Sequence, residues 1–262
     1  MKKRALIGGV AAAASLIAFA NTALADNIVR VDQNNEAGWT FNGDAATATP
    51  YEFSLEEHSL GSGSLRVLPI KNTADDGTTA QNSDKFIAGL ALGVDADSIE
   101  SFAYDLLIDG PATAEEHFYL NVYAIRTGSS EPFYDCRYDY VPAAGSNSAF
   151  TTASFAASDT PVNVRDRNTA DGIPCAETLA DFDGTVRAIA LNVGDTSGSD
   201  TDIGGYLDNV RVDTVAGTTT YDFEVLPLVK DACKDGGWDR FGLFASQGDC
   251  VSYLQASVNA NN

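Results

Sequence analysis

Tyr119-Leu120-Asn121-Val122-Tyr123 places two phenol rings and an amide on every second residue of a segment rich in β-formers. Side chains of a strand alternate between faces, so the run from His117 to Arg126 divides in two. Phe118, Leu120, Val122 and Ala124 fall on one side, and Tyr119, Asn121, Tyr123 and Ile125 on the other. The first set suits a core. The second suits a sugar, because aromatic rings stack on the apolar faces of pyranosides while an amide bonds their hydroxyls. The next segment, Phe133 to Val141, is expected to pair with it antiparallel. Tyr134, Tyr138 and Tyr140 would then share one side, with Asp135, Arg137 and Asp139 on the other. Which side joins Tyr119 and Tyr123 depends on register, which the sequence leaves open. Tyr119, Asn121, Tyr123 and Tyr138 form the candidate ligand-binding set; the alternative is that these tyrosines pack a core edge or pair across strands.

A second chemistry is that of hard oxygen ligands. Asp195-Thr196-Ser197-Gly198-Ser199-Asp200-Thr201-Asp202, with Asp208 beyond it, spaces short carboxylates among small residues, a composition suited to a structural Ca²⁺. Asp195, Asp200, Asp202 and Asp208 are therefore the candidate metal ligands. The spacing is not that of an EF-hand, and Asp75-Asp76-Gly77 reads as a turn.

Catalytic chemistry finds little support. The sequence contains no G-x-S-x-G elbow, no H-E-x-x-H and no Gly-rich phosphate loop. His58 and His117 read as structural. Glu56-Glu57 and Glu115-Glu116 are neighbours in sequence, so on a strand each doublet points to opposite faces and makes no catalytic pair by itself.

These residues need a frame, and the frame reads as β. Ile28–Val31, Tyr51–Leu55, Ser64–Val67, Phe86–Leu92, Ile99–Ile108, His117–Arg126, Phe133–Val141, Phe150–Phe155, Val186–Val193, Tyr206–Val212 and Thr219–Phe223 are strand candidates separated by turn residues. With no helical periodicity between them, they imply an all-β, antiparallel sandwich of jelly-roll type over 26–224. In such a fold the first and last strands commonly lie side by side, so Ile28–Val31 is expected near Thr219–Glu224.

At 225–229 the pattern changes. Residues 230–262 carry Cys233, Trp238, Phe241, Phe244 and Cys250, with Ser246 positioned to cap a helix reaching about Val258. This is expected to be a small cystine-stapled appendage. Four cysteines allow three pairings; Cys136–Cys175 and Cys233–Cys250 are favoured because each lies within one module.

Met1–Ala25 reads as an export signal: Lys2-Lys3-Arg4, an Ala-rich apolar run, then Ala23-Leu24-Ala25. Its removal takes three of the 16 basic residues and no acid, moving the net charge from −21 to −24. Of the 37 acids, 27 are Asp. Such a charge disfavours nucleic acid and anionic membranes as partners, and no later run is long enough to insert into a membrane. The expected location is outside the cytoplasm, in the periplasm or the medium.

Leu60–Val67, Phe133–Tyr140 and Gly204–Val210 together resemble a family of exported bacterial β-sandwich proteins with no assigned activity. Gly204-Gly205-Tyr206-Leu207-Asp208-Asn209-Val210 also resembles the closing strand of jelly-roll carbohydrate-binding modules, where an Asp often helps hold a structural Ca²⁺. Lys230–Tyr253 is similar to a short Cys-containing motif that ends many exported bacterial proteins. The expected function is non-catalytic recognition of an extracellular glycan. The alternatives are a structural or surface-associated protein with no small-molecule site, or a glycoside- or ester-active hydrolase.

Overall fold

Alternating apolar residues build two sheets whose inner faces meet. The computed structural model describes residues 26–43, 51–71, 85–109, 117–143, 145–169, 172–194 and 202–260. The expected export signal, Asp75-Asp76-Gly77, Glu115-Glu116, Asp195 and Asp200 lie outside the described residues.

Thirteen strands are described: β1 (Asn27–Val31), β2 (Trp39–Gly43), β3 (Tyr51–Ser54), β4 (Ser64–Lys71), β5 (Lys85–Asp95), β6 (Ile99–Asp109), β7 (Tyr119–Arg126), β8 (Cys136–Tyr140), β9 (Thr151–Ala156), β10 (Asn163–Asp166), β11 (Gly184–Gly194), β12 (Asp202–Thr214) and β13 (Gly217–Phe223). The first sheet has seven strands. Its long β12 pairs with β6 along one edge and with β4 and then β13 along the other, while β9, β3 and β1 complete the sheet. The second has six, in the order β10-β8-β7-β11-β5-β2. This is the expected antiparallel sandwich. The termini meet as expected too: β1 runs parallel to β13, with Ile28 opposite Thr220 and Val31 opposite Phe223.

Two strands lay below the sequence signal. β2 is a five-residue strand ending at Gly43, and β10 is the short polar Asn163–Asp166. What makes β2 a strand is tertiary. Trp39 and Phe41 point inward, and the Trp39 ring lies 5.3 Å from that of Phe223. Burying a side chain as large as Phe223 contributes roughly 2–3 kcal/mol.

Phe223 closes the sandwich, and the chain then crosses to the appendage. Gln33 clamps this crossing, its amide nitrogen donating to the Leu226 carbonyl at 2.5 Å and its amide oxygen accepting from the Leu226 N–H at 3.3 Å. Helix α1 (Gln247–Ala260) follows two short 3-10 turns. Ser246 caps it as expected, its hydroxyl oxygen accepting from the Asp249 N–H at 3.2 Å. Cys233–Cys250 staples the helix to the first turn, and Phe241 and Leu254 pack around it against Leu55 and Val225. The second disulfide is Cys136–Cys175. Both pairings match the expectation.

Candidate functional site

The outward face of the second sheet is fixed by register. Leu120, Val122 and Ala124 of β7 are buried between the sheets, so Tyr119, Asn121 and Tyr123 turn outward. Just before β7, Phe118 is fully buried at φ +51°, a bend that a bulky residue adopts only when packing holds it. The Tyr104 hydroxyl donates to the Phe118 carbonyl and secures that bend.

The β7–β8 register settles the open question. Tyr123 lies opposite Arg137, and Asn121 opposite Asp139. Tyr138 lies opposite Val122 and is fully buried, with Tyr140 beside it in the interior. The expectation that Tyr138 joins the platform is therefore corrected. It belongs to the core, because pairing it with the inward Val122 is what lets both strands bury their apolar faces. Tyr134 separates from Tyr138 and Tyr140, because β8 begins only at Cys136 and the preceding loop turns its ring outward. That ring stands 5.1 Å from the ring of Tyr123.

Asn121 also plays a different part from the one expected. It is 1% exposed. Its amide nitrogen donates to Asp139 at 2.7 Å, and its oxygen accepts from Asn192 at 3.0 Å. Asp139 in turn takes Nε and Nη2 of Arg137 at 2.6 and 2.7 Å, and the Asn163 amide at 3.1 Å. The chain of bonds from Asn192 through Asn121 and Asp139 to Arg137 orients the guanidinium beside Tyr123. The amide thus serves the frame rather than meeting a ligand directly. Tyr119 is half-buried, its hydroxyl donating to the Gly194 carbonyl at 3.2 Å.

β11 supplies a bulge. The pairing with β7 slips between Val186 and Ala188, leaving Arg187 as the extra residue. Arg187 turns outward, where its Nη1 donates to the carbonyls of Pro132 and Phe133 and holds the loop that carries Phe133 and Tyr134. From the other side, Asp135 anchors that loop. It is fully buried and accepts the Arg126 N–H at 2.7 Å, the Ser129 hydroxyl at 2.9 Å and the Asn168 amide at 3.0 Å. Burial would raise its pKa, but these hydrogen bonds and the Arg126 guanidinium overcome that and hold it below the usual carboxylate range. The Arg167 N–H donates to the Asp135 carbonyl at 2.8 Å.

The result is a pocket of about 430 Å³ lined by Tyr123, Phe133, Tyr134, Arg167, Arg187 and two alanines, Ala91 and Ala188. Phe133 is 61% exposed. The Arg167 guanidinium lies 4.9 Å from the Phe133 ring centre and 5.3 Å from that of Tyr134. Burial pushes the Tyr123 hydroxyl above its ordinary pKa, so it remains a neutral donor. Sequence reading missed Phe133, Arg167 and Arg187. The signal for the bulge was present, since Val186 and Ile189 are three apart where strict alternation calls for two.

The metal expectation meets different geometry. Asp202 is exposed at the start of β12, and Asp208 is fully buried six residues on. Extended chain of that length spans about 20 Å, so one ion cannot join the two. Asp208 receives Ser59 N–H at 2.9 Å, Ser59 Oγ at 3.1 Å, Leu60 N–H at 2.7 Å, Asn209 N–H at 2.7 Å and Phe223 N–H at 3.3 Å. That donor set fits an anion; a cation there would face the positive ends of five dipoles. Burial lifts the Asp208 pKa to about 6 against the pull of those N–H groups. Among the described residues no three His, Cys, Asp or Glu side chains group as metal ligands.

Of the other candidates, His58 is exposed and His117 is fully buried. Glu56 is engaged on the outside of the first sheet, where it accepts the Tyr206 hydroxyl at 3.0 Å and pairs with Arg66 at 2.9 Å. No helix among the described residues is long and apolar enough to cross a membrane.

No protein-family model and no curated protein matches the chain. Among solved structures it is similar to the family 11 carbohydrate-binding module from Clostridium thermocellum in complex with a beta-1,3-1,4-mixed-linked tetrasaccharide, at 12% identity and a TM-score of 0.42, covering 68% of this chain and 91% of that one. It is similar to a carbohydrate-binding module specific for non-crystalline cellulose, at 13% identity and a TM-score of 0.38, covering 70% and 91%. A third is the xylan-binding domain of Paenibacillus barcinonensis Xyn10C, at 9% identity and a TM-score of 0.33, covering 67% and 85%.

Proposed function

We propose that this protein is an exported, non-catalytic glycan-binding β-sandwich whose ligand lies on the outward face of the second sheet. The observation that carries the reading is the Tyr123–Tyr134 ring pair, 5.1 Å between centres, beside an open pocket of about 430 Å³ with exposed Phe133 on its rim. A sugar offers such rings its apolar C–H faces, and the polar groups around them take its hydroxyls. The volume lies within the range of roughly 300–1,000 Å³ found for small-ligand sites. Two disulfides support an oxidising compartment.

The test is affinity electrophoresis of the chain from Asp26 through gels loaded with soluble polysaccharides, comparing the parent with Tyr123→Ala. Losing a stacked ring is expected to weaken retention about ten-fold, equivalent to ~1.4 kcal/mol. The melting temperature should stay within a few degrees, because Tyr123 lies outside the core. Unchanged retention in Tyr123→Ala would place the ligand elsewhere.

A further inference from the structure

The chain carries a net charge of −21, yet the rim of its candidate site is positive. Of the 13 Lys and Arg residues beyond position 25, four gather at one end of this face: Arg137, Arg165, Arg167 and Arg187. Arg165 lies opposite Arg137 across the β8–β10 pairing, and Arg137 lies opposite Tyr123, so the three share one row of the outward face. Arg167 and Arg187 line the pocket at the end of that row.

What separates this group from other arginines is how its charge is met. On the first sheet, Arg66 pairs with Glu52 at 3.1 Å and Glu56 at 2.9 Å. Arg126 pairs with Asp135 and Asp166, and Arg137 with Asp139. Among the described residues, no carboxylate pairs with Arg165, Arg167 or Arg187. All three are exposed. Arg167 rests over two aromatic rings, which attract its charge without neutralising it. Arg187 donates to the carbonyls of Pro132 and Phe133, which fix its direction without cancelling its charge. In a protein with 37 acids, three neighbouring guanidiniums without a carboxylate partner among the described residues concentrate positive charge beside two aromatic rings. Arginine forks suit carboxylate and sulfate oxygens.

We infer that the ligand is an anionic glycan, whose carboxylate or sulfate groups are read by Arg165, Arg167 and Arg187 while its ring faces stack on Tyr123 and Tyr134. This rests on the glycan-binding reading and names the substrate class of that same site. The anionic groups need only be spaced along the chain. The net negative charge that disfavours nucleic acid opposes this polyanion too, and the local guanidinium cluster outweighs it within the ~8 Å over which exposed charges act at physiological salt.

The test uses polysaccharide pairs that share a backbone and differ in charge. Polygalacturonate against its fully methyl-esterified form isolates the carboxylate. κ-Carrageenan against its chemically desulfated form isolates the sulfate. The chain from Asp26 is expected to hold the charged member of at least one pair ten-fold or more tightly than the neutral one. Which pair shows the preference assigns the anion. Arg165→Gln combined with Arg167→Gln should remove most of that preference, and circular dichroism should show the fold unchanged, since both side chains are exposed and neither bridges the loop that Arg187 holds. Tyr123→Ala should weaken charged and neutral members alike. Equal retention within both pairs, or a charged preference that survives the double Gln variant, overturns the anionic inference and leaves the glycan reading standing. Retention of none of these four, nor of a mixed-linked β-glucan, overturns both.

Discussion

Asp222→Asn is expected to stabilise the protein at neutral pH and to do so much less in acid. Asp222 and Glu224 sit two residues apart on the outer side of the first sheet, covered by the loop containing Ser62 and by the appendage. The two carboxyl groups are crowded. Glu224 accepts the Ser62 N–H at 3.2 Å, and the Ser62 hydroxyl, with its one proton, lies between the Glu224 carboxyl at 2.9 Å and the Phe241 carbonyl of the appendage. Oδ1 of Asp222 has no donor among the described residues. Burial and the neighbouring Glu224 charge push the Asp222 pKa up to about 6, with Arg30 opposite on β1 pulling the other way. Glu224 is pushed up as well, by burial first.

A folded-state pKa above the unfolded value near 3.8 means the native state holds the proton more tightly. The stability this contributes is full below pH ~3.8 and is lost as pH rises through about 6. A lift of about two units corresponds to ~3 kcal/mol. Allowing for relaxation around a charged group, we expect the effect of Asp222→Asn on unfolding free energy to be ~2 kcal/mol more favourable at pH 7.5 than at pH 4.5. Urea unfolding followed by circular dichroism at the two pH values measures this. Taking the difference between pH values cancels whatever the amide does to local hydrogen bonding. A substitution effect that is the same at both pH values, or larger in acid, would refute the crowded-carboxyl account.

Two further outcomes follow from the loop that frames the pocket. Asp135→Ala strands the Arg126 N–H, the Ser129 hydroxyl and the Asn168 amide, and should cost about 3–5 kcal/mol in urea unfolding at pH 7. Because the Asp135 pKa is depressed, its contribution should persist down to about pH 4 and fade only below, the reverse of Asp222. Replacing Cys136 and Cys175 together by Ala opens a closure of 39 residues, which on the chain-entropy model removes about 4 kcal/mol. A denaturant midpoint unmoved by that double change would show that the surrounding Arg126 and Asp135 contacts already fix the loop.

Much of the frame is local and was legible. Strand identity follows from two-residue alternation, which each segment carries in itself. The Ser246 cap, the outward set Tyr119, Asn121 and Tyr123, and the pairing of cysteines within their modules all depend on residues near one another in sequence or in one module. The short β2 and β10 escaped because five or four residues carry too little pattern; their partners make them strands.

The chemistry of the site was decided at a distance. Alternation says that Tyr138 and Arg137 face opposite ways, but only the pairing of Tyr138 with Val122 inside the sandwich says which of them faces water. The same holds for Asp208, a candidate cation ligand by sequence, onto whose carboxylate folding brings the Ser59, Leu60 and Phe223 N–H groups. The sequence thus determined the sheets and which residues are apolar. Register, the bulge at Arg187 and the gathering of three guanidiniums around two tyrosines came from tertiary structure, because they depend on how strands far apart in the chain choose partners that bury both inner faces at once.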